Sequence, residues 1–368
     1  MAAERLPTFS VCIPNYNHGK YIGDTIQSVL DQTYPHFEII IADNASTDNS
    51  VEVIKSFNDP RIRLIRNRCN IGFAPNLQRA TSAAQNDFID LLSSDDQMLP
   101  NALEVYAGII QKLGARGTQT VLFSDVEDFT DTGKILSIER KASDGFYTDY
   151  LPPEDVEQET KGDISYSVYR GREVLRDSLS RLRTFAPFLS IVYPRALWEA
   201  IEGYNSVRTI GPDKHFNYKL LSLDPDVVYV PHILFRYRSY LSDNRKAQSL
   251  SLRQPIDDYL YTLEFSESDL ASLGLTKAQL VDTFVDTVCL KEGLRQIGQR
   301  NYTQAFRLFA FALSSYPGVA LKMRKTYMLL ALLIMGPVSY LLAPLLLSIY
   351  KSATAGKKPV TGALKAGL

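Results

Sequence analysis

The chain has 368 residues, 45% hydrophobic and 22% charged, with a formal net charge of -1. This is globular composition, which excludes a disordered chain, and the balanced charge excludes a whole-chain nucleic-acid binder. Three widely spaced cysteines (Cys12, Cys69 and Cys289) form no zinc pattern or disulfide framework; with no long apolar leader, they lead us to expect a reducing, cytoplasmic setting.

In chain order, residues 8–17 (TFSVCIPNYN) read as a short buried strand ending in a Pro/Asn turn. Ile22, Ile26, Val29 and Leu30 then recur at helical spacing. FEIIIADNASTDNS is a strand running into a polar turn able to cap the next helix, VEVIKSF. RIRLIRN is a strand, APNLQRATSAA a helix, and DFIDLL a strand again. Such alternation predicts a largely parallel sheet with helices on both faces. Ligands of such sheets bind beyond the carboxyl ends of the strands. The polar clusters fall at those ends: Asn15 to Asn17, Asp43 to Asp48, and Ser93 to Asp96. Asp95 and Asp96 are adjacent like charges, so water, a helix N-terminus, an arginine or a metal ion must compensate them.

NALEVYAGIIQKLG reads as a helix and TVLFSDVEDF as a strand, and residues 144–165 read as a polar loop. APFLSIVYP is a strand, RALWEAI and DKHFNYKLLSL are helices, and DVVYVPHILFRYR is a strand. The pattern is helical from about 255 onward. No acidic residue occurs after Leu321, and the stretch between Lys325 and Lys351 carries no charge. That stretch is long enough to cross a bilayer core of ~30 Å, but Gly336, Pro337 and Pro344 interrupt it. A single span, a re-entrant or interfacial hairpin, and a buried helix pair all fit, and the basic flanks suit an anionic cytoplasmic leaflet.

Four pieces in order, VCIPNYNHGKYIGDTIQSVLDQTY, EIIIADNASTDNSVEVI, NRCNIGFAPNLQRA and FIDLLSSDD, resemble the family 2 glycosyltransferases, inverting enzymes of the GT-A fold. A later piece, SIVYPRALWEAIEGYNSVRTIGPDKHFNYKLL, resembles the family's acceptor-side block, so the likeness spans residues 7–240. It implies an α/β, Rossmann-like GT-A fold: a mixed, mostly parallel sheet flanked by helices, followed here by a C-terminal helical extension. The expected organisation is a transferase domain over 1–240, the helical extension over 241–320, and a basic, apolar membrane-associating tail over 321–368.

The resemblance also implies roles. Asp43 would accept the imide N–H of a nucleotide base, with uridine favoured. Pro14, Asn15, Tyr16, Asn70, Asn76, Ser94 and Asp95 would bind the nucleotide-sugar. Asp95 and Asp96 would hold Mg²⁺ or Mn²⁺, which takes one or two carboxylates plus substrate phosphate and water. Asp213, opening a helix, would be the general base that takes the acceptor hydroxyl's proton.

The chain departs from the family pattern at Asn44, where a second aspartate is usual, at Ser93, where the first metal-site acid is usual, and at Pro212, where a glutamate commonly stands. His215 reads as a packing or hydrogen-bonding residue, with a second base as the alternative. His232, Arg236 and Arg238 could bind diphosphate or acceptor, but as exposed strand charges they need no such role. The QxxRW sequence of the family's processive synthases is absent, which favours a single addition. The expected partners are a nucleotide-sugar donor, a glycan or lipid-linked acceptor, and the anionic inner face of the plasma membrane. The competing readings are a nucleotidyltransferase acting on sugar phosphates and a non-catalytic scaffold. The first lacks a Gly-rich, basic loop after the first strand; the second draws on the departures at Ser93 and Pro212.

Overall fold

The computed structural model describes residues 6–139, 157–160, 165–205, 212–239, 260 and 263–336. The chain divides into two compact units, Met1–Ala247 with Ile256–Gly274, and Gln248–Pro255 with Leu275–Leu368.

The first unit starts β1 (Phe9–Asn15), α1 (Ile22–Leu30), β2 (Phe37–Asp43), α2 (Ser50–Ser56), β3 (Ile62–Arg66), α3 (Phe73–Thr81), β4 (Phe88–Leu91). It goes on with β5 (Gln97–Met98), α4 (Ala102–Leu113), β6 (Thr120–Phe129), β7 (Ile135–Glu139), β8 (Glu157–Thr160), β9 (Ser165–Arg170) and α5 (Gly171–Arg181). It ends with β10 (Val192–Pro194), α6 (Arg195–Ala200), α7 (Pro212–Ser222), β11 (Asp226–Arg238) and α8 (Glu267–Ser272). Among the described residues, eleven strands form one sheet along the path β3-β2-β1-β4-β10-β6-β11-β9-β8, with β5 beside β11 and β7 beside β6. The first four strands are parallel, as is β6 with β11, while β10, β9 and β8 run antiparallel to their neighbours.

Both faces of β1 and β2 are covered, which is why they read as nearly unbroken apolar runs. Val11 and Ile13 share a core with Ile22, Ile26 and Val29 of α1, Ile54 of α2, and Tyr106 and Ile109 of α4. On the other face Tyr193 of β10 meets Phe216 of α7 at 4.9 Å between ring centroids. Asn15 pairs with Asp43, and Asp43 with Arg66, so β1, β2 and β3 end level. Level strand ends bring the turns after them side by side.

Residues 144–165 contain β8, which the sequence reading took for loop, and β8 pairs with β9 through Glu157↔Val168 to Thr160↔Ser165. Its sequence, EQET, is too polar to signal a strand. No element is expected from the sequence at β5, β7 or β9, which are short, nor at α5, where Val174, Leu175 and Leu179 do recur at helical spacing.

The second unit is helical: α9 (Lys277–Thr283), a π-helical turn (Phe284–Lys291), α10 (Glu292–Gly298), α11 (Tyr302–Ser315), α12 (Pro317–Ala320) and α13 (Arg324–Met335). Gly293 gives α10 and α13 their close approach, because a Cβ there would lie 2.6 Å from Leu329 Cδ2. The buried Lys325 ammonium is paired with Asp286 at 2.5 Å. Leu329 and Leu332 are buried on one side of α13, while Tyr327, Leu330 and Ile334 are exposed on the other. Gly336, at φ +63°, ends the helix. Among the described residues no helix is long and apolar enough to cross a membrane. Residues 337–368, which hold most of the predicted tail, lie outside the described residues.

Candidate active site

The turns after β1, β2 and β4, with the start of α3, enclose a cleft of about 430 Å³ lined by Pro14, Asn15, Tyr16, His18, Asn44, Asn70, Gly72, Phe73, Asn76, Ser93, Ser94 and Asp95. The turn after β1 is fixed by side chains of the next turn. Asn17 N–H donates to Ser46 Oγ (3.0 Å), His18 N–H to Ser50 Oγ (3.1 Å) and Gly19 N–H to Asp48 Oδ2 (2.8 Å). Gly19 is required by space: a Cβ would meet Asn49 Oδ1 at 2.0 Å. The turn aims the His18 ring at Ser94, with Nδ1 2.8 Å from Ser94 Oγ.

Asp43 is fully buried (0% exposed) and does not line the cleft. Its Oδ1 accepts Asn15 Nδ2–H at 3.0 Å, its Oδ2 accepts Ser46 N–H at 3.2 Å, and Arg66 Nε lies 3.9 Å away. It therefore sets the orientation of Asn15, which does line the cleft. Asn44 holds the other wall. Its Nδ2 donates to Asn70 Oδ1 (2.9 Å) and Gly72 O (3.2 Å), and its Oδ1 accepts from Asn67 Nδ2 (3.0 Å) and Ile71 N (2.9 Å). An aspartate at this position could not donate, so the amide at 44 is what joins the two turns. Asn76 donates to Ala42 O and accepts from Asn67 Nδ2, each at 2.9 Å, so its amide is used in the wall as well.

The two adjacent aspartates part company. Asp95 lines the cleft. Asp96, 1% exposed, turns inward, and its Oδ1 accepts the backbone N–H of Arg238 at 2.8 Å. Arg238 is not the exposed strand charge that the sequence suggested: it is 3% exposed. Its guanidinium carbon lies 4.8 Å from the Tyr21 ring centroid and 4.5 Å from that of Phe129, within cation–π range. Its Nε donates to Asp95 O at 2.8 Å, and it pairs with Asp24 at 3.2 Å and Asp131 at 3.8 Å. Arg238 thus clamps the turn that carries the acidic pair, through its backbone N–H on Asp96 and its Nε on the Asp95 carbonyl, while its charge is paired with Asp24 and Asp131.

Asp213 stands in the first turn of α7. Burial pushes its carboxyl above the usual carboxylate range. Tyr204 is buried within its field and stacks on Phe216, one helical turn on, at 4.1 Å. The same loop reaches α3, where Tyr204 N–H donates to Gln78 Oε1 at 2.6 Å and Gln78 Nε2 to Glu202 O at 3.3 Å. The helix whose start lines the cleft therefore also anchors the segment beside Asp213. A larger cavity of about 800 Å³ runs along His215, Tyr218, Lys219 and Ser222 and gathers none of the predicted residues. At about 100° per residue, that side of α7 faces away from Asp213.

The structure thus brings Pro14, Asn15, Tyr16, Asn70, Asn76, Ser94 and Asp95 to one cleft, with Asp43 and Asp96 behind its walls. The sequence reading missed His18 and Phe73, although the NYNHG turn and the glycine before α3 were visible signals. Among the described residues no three His, Cys, Asp or Glu side chains converge as a metal site. Among the described residues lining the cleft, the one carboxylate, Asp95, fits a hard cation that takes its remaining ligands from phosphate and water.

Residues 10–169 match the family model described as glycosyl transferase family 2. That segment is similar to this family. Over 100 residues the chain is 39% identical to TuaG of Bacillus subtilis (strain 168), a glycosyltransferase named for teichuronic acid biosynthesis, covering 27% of the chain and 40% of TuaG. Over 103 residues it is 36% identical to the Escherichia coli UDP-Glc:alpha-D-GlcNAc-diphosphoundecaprenol beta-1,3-glucosyltransferase WfgD, covering 28% of the chain and 41% of WfgD. The chain thus spans about two fifths of the length of these relatives. The structure resembles S. aureus TarS 1-349 in complex with UDP-GlcNAc with a TM-score of 0.56 at 15% identity, covering 94% of this chain and 92% of that one. This likeness supports the GT-A fold.

Proposed function

We propose that the protein transfers one sugar, with inversion, from a UDP-sugar to an acceptor hydroxyl in the assembly of a surface polysaccharide or glycolipid. The observation that carries this reading is the cleft at the ends of parallel strands, where Asp43 orients Asn15 and Arg238 holds the turn bearing Asp95, in a family 2 segment. The names of TuaG and WfgD support the acceptor class, and that of WfgD a UDP donor.

In this mechanism Tyr16 and Phe73, both exposed at the cleft, flank the base. Asn15 and the wall built on Asn44 hold the nucleoside. Asp95 would hold Mg²⁺ or Mn²⁺, while Asp96 secures the turn. The ion, when bound, neutralises charge on the diphosphate as it leaves. Asp213 receives the acceptor's proton, and burial raises the affinity of its carboxyl for that proton. A thermal-shift series with UDP, GDP and dTDP, each with and without Mn²⁺, tests the donor site. The expected result is stabilisation by UDP that grows with Mn²⁺ and is absent with the other two. No shift with any nucleotide would refute the reading.

The acceptor side includes the cytoplasmic face of the plasma membrane. The support is α13, which begins with the exposed Lys322 and Arg324 beside it and presents Tyr327 (57% exposed), Leu330 and Ile334 (77%) on one face. Such a helix lies in the plane of an anionic bilayer rather than across it. Cosedimentation with vesicles containing phosphatidylglycerol is expected, with little on pure phosphatidylcholine. The combined Tyr327→Ser, Leu330→Ser and Ile334→Ser variant is expected to lose it; equal binding by that variant would rule out α13 as the contact.

A further inference from the structure

The cleft offers a diphosphate few donors. Among its described lining residues there is no lysine or arginine. Its amide donors are largely turned onto the protein: Asn15 Nδ2 to Asp43 and Ser46, Asn44 Nδ2 to Asn70 and Gly72, and Asn76 Nδ2 to Ala42 O. A departing diphosphate gains charge and needs donors placed in advance. His18 is the one histidine in the lining, and it stands against Ser94, next to Asp95. The ring is held at two points and the backbone at a third. The backbone N–H is bound to Ser50, Nδ1 to Ser94 Oγ, and the ring packs edge-on to Tyr21 at 6.1 Å. When the Ser94 hydroxyl donates to Nδ1, the ring proton resides on Nε2, the nitrogen left for a ligand.

We infer that His18 is a catalytic residue of the transfer, its Nε2–H donating a hydrogen bond to the donor diphosphate as the sugar leaves. This rests on the transferase reading above. In the step, the bond from the anomeric carbon to the diphosphate oxygen breaks and its electron pair stays on that oxygen, which His18 stabilises. The acceptor oxygen forms the new bond, and its proton goes to Asp213. His18 gives up no proton. Ser94 is a positioning residue that fixes the ring's tautomer and direction.

The two amides separate the roles of the ring nitrogens. His18→Asn keeps an amide near the Nδ1 position and removes the donor at Nε2, whereas His18→Gln carries a donor to about the Nε2 position. The measurement is UDP release from UDP-glucose and UDP-GlcNAc, with melting temperature followed in parallel. His18→Asn is expected to lower kcat by about 10²-fold, as loss of one preplaced donor does, with a smaller change in KM. His18→Gln is expected to retain activity within about 10-fold of the parent, and Ser94→Ala to fall between. Equal losses in the two His18 variants, or full kcat in His18→Asn, would overturn the inference. If His18→Asn does not fold, Ser94→Ala decides: an unchanged kcat there overturns it too. Absence of UDP release and of UDP binding in the unmodified protein is a different result, and it removes the transferase reading itself.

Discussion

Asp213→Asn is expected to lower the rate of UDP release by about 10²–10⁴-fold, the usual contribution of a positioned general base. Affinity for UDP should stay the same, because Asp213 does not line the donor cleft. A weakened UDP affinity of similar size would mean that α7 had moved, and the assignment as base would fall. The pH dependence follows from the raised affinity of this carboxyl for protons, which comes from burial. The carboxylate is the active form, so the rate is lost as pH falls through the raised value. The acid limb of kcat/KM should therefore lie above the usual carboxylate range of ~3.9 and be missing in Asp213→Asn. A limb at or below that range would remove Asp213 from the role.

Asp90→Val is expected to stabilise the protein by about 2–4 kcal/mol at neutral pH, read from chemical denaturation. Asp90 sits in the centre of β4, 0% exposed, paired in register with Val11 and Val192 and so on their face of the sheet. Neither carboxylate oxygen has a side-chain partner. Burial drives its affinity for protons well above the ordinary carboxylate value, and the Leu91 N–H offsets this only in part. The folded chain keeps the proton over a pH range in which the unfolded chain has lost it. Stability is therefore full below the unfolded value near 4 and declines as pH rises towards the folded value, by about 1.4 kcal/mol per unit. Asp90→Val removes that slope, so the difference between the two proteins should grow with pH. A difference that stays flat between pH 4 and 8 would contradict the account.

Much of this was legible in the sequence, for identifiable reasons. The alternation of apolar runs with helical periods gave the parallel half of the sheet, because strands buried on both faces leave unbroken runs such as FEIIIAD. The cleft residues were legible because polar clusters at strand ends have one place to go in such a sheet. The direction of side chains was not. Asp95 and Asp96 are neighbours with the same chemistry, and only the turn geometry sends one to the cleft and the other to Arg238 N–H. Asn44 looked like a lost acid, yet its amide joins two turns by donating and accepting at once. Arg238 looked like a surface charge because nothing local marks it; its partners lie at Tyr21, Asp24, Asp95, Asp96, Phe129 and Asp131. Such couplings over long sequence separations leave no period to read.

The Arg238 clamp also bears on when the site comes into being. The turn carrying Asp95 and Asp96 is tied to a strand 142 residues further along the chain, and β5, just after that turn, pairs with the same strand through Met98 and Phe235. Contacts of such high sequence separation form late, since a long loop must close before they return any stability. During synthesis the N-terminal hundred residues, although they hold most of the recognisable motifs, would emerge with their acidic turn unfastened. A ribosome-bound chain would complete the turn carrying Asp95 only after β11 has been made and docked, so the position of Arg238 sets the moment at which the cleft takes its final form.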